Sequence, residues 1–134
     1  MVLMSKLVQA NFDSLQLDHK ANLFALHHKL NILASMLHFD PTITSGYRTW
    51  DDHLRIYAQK RLRDPSLKIP DNSLHLWGAA CDLSDSGSLV KKAILDGLEV
   101  VEKLDLYFED FDYTHGWVHV QIYPPKSGKR FFQP

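Results

Sequence analysis

A single cysteine, Cys81, leaves this chain unable to form an intrachain disulfide or a multi-cysteine zinc cluster. Long apolar runs are also missing; the longest stretches are too short and too interrupted to span a bilayer. Neither sign of charge dominates. With 15 Lys and Arg against 16 Asp and Glu, the formal net charge is -1, so no basic excess points to nucleic acid and no acidic tail to a basic partner. The first residues, Met1-Val2-Leu3-Met4-Ser5-Lys6, lack a charged region followed by a long apolar core and do not read as a secretory signal. No internal repeat, low-complexity tract or linker divides the sequence. These absences predict a monomeric single domain over 1–134, made in a cytoplasm, with neither nucleic acid nor a membrane as partner.

What is present is hydrophobic periodicity. Leu23, Leu26, Leu30, Leu33 and Leu37 recur at spacings of three and four, which predicts a helix from Asp18 to Leu37 with one buried stripe. Pro41 ends it, and Thr42-Ile43-Thr44 reads as a short strand leading into Ser45-Gly46-Tyr47-Arg48. Thr49, with Asp52 three residues on, resembles a capping box and opens a second helix to about Leu62, with Leu54, Tyr57, Ala58 and Leu62 inward. The stretch from Arg63 to Asn72 carries two prolines and reads as a loop. A strand is expected over Ala79 to Leu83, a turn over Ser84 to Ser88, and a third helix over Leu89 to Leu104 with Val90, Ile94, Leu98 and Val101 on one face. Asp105 to Phe111 and Trp117 to Tyr123 make an antiparallel pair. Together these elements predict an α+β fold, a small and mostly antiparallel sheet with helices packed on it.

Strand alternation locates the chemistry. From Trp117 to Tyr123, Val118, Val120 and Ile122 share an apolar face, while Trp117, His119, Gln121 and Tyr123 share the other. In the preceding strand, Ala80 and Asp82 point one way and Ala79, Cys81 and Leu83 the other. A carboxylate within an apolar strand costs several kcal/mol unless a cation or hydrogen-bond donors compensate it. His75, just before that strand, can fold over to the same point. Two imidazoles and a carboxylate with a fourth position left for water make a catalytic zinc site. The plainer alternatives are a hydrogen-bonded structural histidine, an Asp82 that caps the following turn, and a Cys81 that serves as a small buried hydrophobe.

Three blocks carry a resemblance: Ser45-Gly46-Tyr47-Arg48-Thr49, then Ser73-x-His75-x-x-Gly78-x-Ala80-x-Asp82-Leu83, then Trp117-Val118-His119-Val120. In this order and internal spacing they resemble the zinc D-alanyl-D-alanine carboxypeptidase family. That family includes phage endolysin L-alanyl-D-glutamate peptidases and bacterial murein peptidases, and the hedgehog signalling domain shares its fold. The resemblance implies a hedgehog-like peptidase fold, zinc as cofactor, and His75, Asp82 and His119 as its ligands. It implies that Arg48 orients a substrate carbonyl or carboxylate, as a planar, always charged fork is suited to do. It also implies that Ser73 holds substrate or braces His75. Trp117 and Tyr47 are candidates for the cleft walls. The implied partner is a peptidoglycan stem peptide, cut by a phage or prophage enzyme that reaches the periplasm or wall through lysis or a virion.

One position departs from the pattern. The family's catalytic carboxylate often lies three residues before the last histidine ligand, where this chain has Gly116. The replacement bases are His115 or Asp112, with Glu109 ranked third. Gly116 therefore supports a second reading, a non-catalytic module of the same fold that binds murein or a protein partner. A third, an intracellular amidase or dipeptidase, is allowed by the sequence but recommended by no residue. The basic, aromatic end from Lys126 to Pro134 either folds back over the cleft or the sheet edge or is a lightly ordered tail.

Overall fold

The computed structural model describes residues 1–8 and 10–134. Its elements are α1 (Met4–Leu7), α2 (Leu17–Leu37), β1 (Ile43–Ser45), α3 (Trp50–Arg63), β2 (Ala80–Ser84), α4 (Leu89–Asp96), α5 (Leu98–Leu104), β3 (Tyr107–Glu109), β4 (Trp117–Gln121) and β5 (Phe131–Phe132). The strands form one sheet in the order β1-β2-β4-β3-β5. The first three pairings are antiparallel and only β5 runs parallel to its neighbour β3. The fold is thus α+β with helices on a small, mostly antiparallel sheet.

The leucine stripe of α2 makes the core. Leu23, Leu26, Leu30 and Leu33 are fully buried against Ala79, Cys81 and Leu83 of the β2 segment, Val118, Val120 and Ile122 of the β4 segment, and Phe108 of β3. Each buried leucine contributes on the order of 2 kcal/mol, so this stripe fixes which face of the sheet the helices cover. Val90, Ile94 and Val101 of α4 and α5, and Leu7 of α1, complete the same cluster. The alternation read from the sequence therefore holds: odd residues of β2 and even residues of β4 face the core. His119 and Asp82 face away from it.

Two expectations need correction. The single helix expected from Leu89 to Leu104 is two helices broken at Gly97, whose low helix propensity meets a close approach to the Leu37 side chain. Leu98, expected inward, is exposed. The inward face of α3 also differs from the expected one: Ala58 and Leu62 are exposed, Leu54 and Tyr57 are half-buried, and the fully buried residue is His53. The reason is placement. No side chain of α3 joins the core cluster. Instead α3 flanks the other face of the sheet, with Thr49, Arg55 and Gln59 walling a cleft opposite Ser45 and Arg48. A helical period in the sequence reports a covered face, not what covers it. The predicted cap is present, since Thr49 Oγ1 accepts from the backbone N–H of Asp52.

Candidate metal centre

The register lines up the chemistry. Ser45 lies opposite Asp82, and Asp82 opposite His119. The β3–β4 register pairs Tyr107 with Gln121 and Phe108 with Val120, so one further step sets Glu109 across from His119. Glu109 in turn pairs with Phe132. One row therefore crosses all five strands: Ser45, Asp82, His119, Glu109 and Phe132, on the face turned away from the leucines.

His75 joins this row from a single 3-10 turn, Leu74–Trp77, ended by Gly78 in a left-handed conformation. The backbone N–H of Arg48 donates to the His75 carbonyl at 3.0 Å. The His75 ring is buried, and its Nε2 lies 3.4 Å from Asp82 Oδ1. His119 Nδ1 lies 2.9 Å from the same oxygen. One ligand atom from each of the three side chains falls within 4.8 Å of the others, a group able to hold a metal ion. The two imidazole rings are 5.3 Å apart, at a steep angle.

The tautomers fit a metal. His75 Nδ1 is 2.9 Å from the carbonyl oxygen of Gly46, which only accepts, so Nδ1 carries the hydrogen and the Nε2 lone pair is free. Gln121 Nε2 donates to the Tyr123 carbonyl at 2.8 Å, which turns its Oε1 toward His119 Nε2 at 2.9 Å. That nitrogen must therefore donate, and the lone pair of His119 Nδ1 is left facing a carboxylate. Two acceptors at such a distance need a cation or a proton between them. Second partners that fix imidazole orientation in this way are the usual support of a metal site.

The charges agree with that geometry. Burial opposes ionisation of Asp82, but the adjacent His119 and His75 rings outweigh it and hold the carboxyl well below the usual carboxylate range. Burial likewise disfavours the charged form of His119, yet the Asp82 hydrogen bond and charge prevail and raise its pKa. His75 goes the other way: burial dominates and lowers it. Burial raises the Glu109 carboxyl, with the Asp82 charge adding and His119 and Lys60 opposing. Burial also raises the phenol of Tyr57, which lies within the fields of Arg48, Glu109 and Asp82.

The other expected residues are distributed as follows. Arg48 is brought to the site: its Nε and Nη2 donate to Ser45 Oγ at 3.3 and 3.1 Å, and Nη2 stands 3.9 Å from Asp82 Oδ2. Its loop is held by Gly46, where a Cβ would sit 2.2 Å from the Leu7 carbonyl oxygen, a contact no side chain tolerates. Ser73 precedes the 3-10 turn without a side-chain cap bond. Trp117 is half-buried on β4, on the His119 face. Among the described residues, the hydrogen-bond partners of the triad's side chains are Gly46, Gln121 and one another. His115 and Asp112 are exposed on the connection after β3 and are not among those partners. Gly116 has φ +79°, and a Cβ there would meet nothing within 4 Å. Cys81 is buried on the core face, and burial raises its thiol well above the ordinary value, so it is an inert hydrophobe.

Gln121 is on the His119 face and Tyr57 is half-buried, as expected, but neither was given a role at the site from the sequence. Phe132 stands edge-on to His119 with ring centres 6.0 Å apart, so the C-terminal segment is an ordered sheet edge beside the site. Comparisons of the chain with protein-family models, curated proteins and solved structures found no match.

Proposed function

We propose that the protein is a zinc-dependent peptidase that hydrolyses a peptide bond in bacterial cell-wall stem peptides. The observation that carries this reading is the convergence of two imidazole lone pairs and one carboxylate, with both tautomers fixed by neighbours that are not ligands. Two nitrogens and one oxygen suit zinc, and three protein ligands leave a position for catalysis. The motif resemblance to the D-alanyl-D-alanine carboxypeptidase family adds the reaction and the substrate class.

His75, Asp82 and His119 would hold the zinc ion, which would supply the Lewis acidity that polarises a carbonyl and makes water a stronger acid. The chain's own residues do the rest. Arg48, oriented by Ser45, presents a guanidinium fork to a substrate carbonyl or carboxylate. Glu109 takes the proton from the attacking water and returns it to the departing amine. Its position across from His119 and its burial-raised carboxyl favour it over His115 and Asp112, because a base works best with a pKa nearer the working pH.

Purified peptidoglycan incubated with the zinc-loaded protein should release fragments that a chelator suppresses, and mass spectrometry of the new termini names the bond. A second reading, a zinc-containing module that binds murein without cutting it, is favoured by the lack of a side chain at Gly116. A protein shown to retain zinc that releases no fragment decides for that module.

A further inference from the structure

We propose that a second groove, beside the metal centre and walled by Trp50 and Trp77, is a saccharide-binding subsite. It has a volume of about 330 Å³ and shares Tyr47 and Arg48 with the cleft of about 300 Å³ beside Ser45. Both indoles are held partly in water, Trp50 47% and Trp77 45% exposed. Exposed apolar side chains scattered singly are ordinary, but two indoles on one concave surface are not. The platform is also braced. His19 stands edge-on to Trp77 with ring centres 5.5 Å apart, and 5.8 Å from the Tyr47 ring. The Asn22 amide donates to the Trp77 carbonyl at 3.0 Å. A ligand that stacks there meets rings already in place, which reduces the ordering cost of binding.

The rim selects the class of ligand. Gln16 and Asp71 are exposed on the groove and, among the described residues, neither side chain is engaged in a hydrogen bond or ion pair. A pyranose ring has a C–H face that lies on an aromatic ring and a girdle of hydroxyls that bond to carboxylate and amide groups. An apolar side chain uses the rings and wastes the rim. A nucleotide stacks equally well but brings a phosphate to Asp71. Apolar walls with a few convergent polar groups are the general pattern of small-ligand sites.

The identity of the sugar rests on the peptidase reading, since a cell-wall stem peptide is joined at its amino end to an N-acetylated amino sugar. Arg48, at the boundary of the two clefts, then stands where peptide and glycan meet. The groove lets the protein favour stem peptides still attached to glycan over free ones.

The test is titration of the zinc-loaded protein with β-1,4-linked N-acetylglucosamine oligomers, followed by tryptophan fluorescence, which reports well because two of the three tryptophans line the groove. Saturable binding is expected, weakened about tenfold or more in Trp77→Ala and Trp50→Ala. Those variants should keep wild-type zinc affinity and the wild-type rate on free stem peptide, while KM rises on glycan-linked substrate. Asp71→Ala and Gln16→Ala, at exposed positions, give the same comparison if an indole deletion misfolds. No response in the wild-type protein, unchanged affinity in the variants, or an equal KM rise on free peptide overturns the subsite. Sugar binding without any hydrolysis rejects the peptidase reading and leaves the subsite standing; hydrolysis without sugar binding does the reverse.

Discussion

Gln121 is never a metal ligand, yet its amide decides which nitrogen of His119 is available to one. Replacing it with leucine keeps the size of the side chain and removes the acceptor at His119 Nε2. The hydrogen is then free to move to Nδ1, the nitrogen that faces Asp82. Loss of such an orienting partner lowers metal affinity about 10- to 100-fold, measurable by competition with a chromophoric chelator. Wild-type affinity in Gln121→Leu would show that the tautomer is set by something else. Glu109→Gln tests the opposite property. It should leave metal affinity near wild type and lower kcat by about 10²- to 10⁴-fold. A base must be ionised to act, and burial raises the Glu109 carboxyl. The wild-type rate should therefore fall on acidification through a pKa above the ordinary glutamate value, and that limb should vanish in the variant. If His115→Ala or Asp112→Ala slows turnover instead, Glu109 is not the base. Two of the three clustered side chains were legible in the sequence because alternation shows that His119 and Asp82 leave the core; His75 lies outside any strand and was singled out by the motif resemblance. Gln121 and Glu109 were harder, because their roles depend on side-chain rotamer and on strand register, and neither is local in sequence.

Strands and helices reach the site with unequal clarity. The α2 stripe reads directly because four leucines meet one apolar sheet face, and burial there is worth several kcal/mol in total. The break at Gly97 and the inward face of α3 were hidden for a shared reason: each depends on what the helix meets, Leu37 in one case and the polar sheet face in the other. The loop between β1 and α3 carries the most site geometry per residue. Tyr47 N–H donates to the Leu7 carbonyl at 2.7 Å, Gly46 offers its carbonyl to His75, and Arg48 follows. Gly46→Ala drives a methyl group onto the Leu7 carbonyl, and the loop must move. Overpacking of this kind costs about 1–3 kcal/mol. The expected result is a lower melting temperature together with weaker metal binding, because the Gly46 carbonyl that orients His75 moves too. A variant that loses stability but binds metal as tightly as wild type would disconnect the loop from the site.

At the scale of the molecule, the sheet separates labour between its faces: leucines, valines and Phe108 on one, and the row from Ser45 to Phe132 on the other. Fold class was legible because two periodicities, 3.6 and 2, alternate along the chain. The order β1-β2-β4-β3-β5 was not, because it is set by long-range pairing, including the parallel addition of β5. A metal held by this group would act as a clasp, because the three side chains come from the turn before β2, from β2 itself and from β4, joining segments up to 44 residues apart, from His75 to His119. A ligand that binds only the folded state at 1,000 times its Kd stabilises it by about 4 kcal/mol. For a domain of this size, 1 kcal/mol moves the melting temperature by about 3 to 4 °C. Chelation should therefore lower the melting temperature by roughly 12 to 16 °C in calorimetry, and added zinc should restore it. His75→Ala and His119→Ala should melt near the chelated wild type whether or not zinc is present. A wild-type melting temperature indifferent to both chelator and zinc would mean that His75, Asp82 and His119 are held together by the shared proton alone, and the peptidase reading would fall with the clasp.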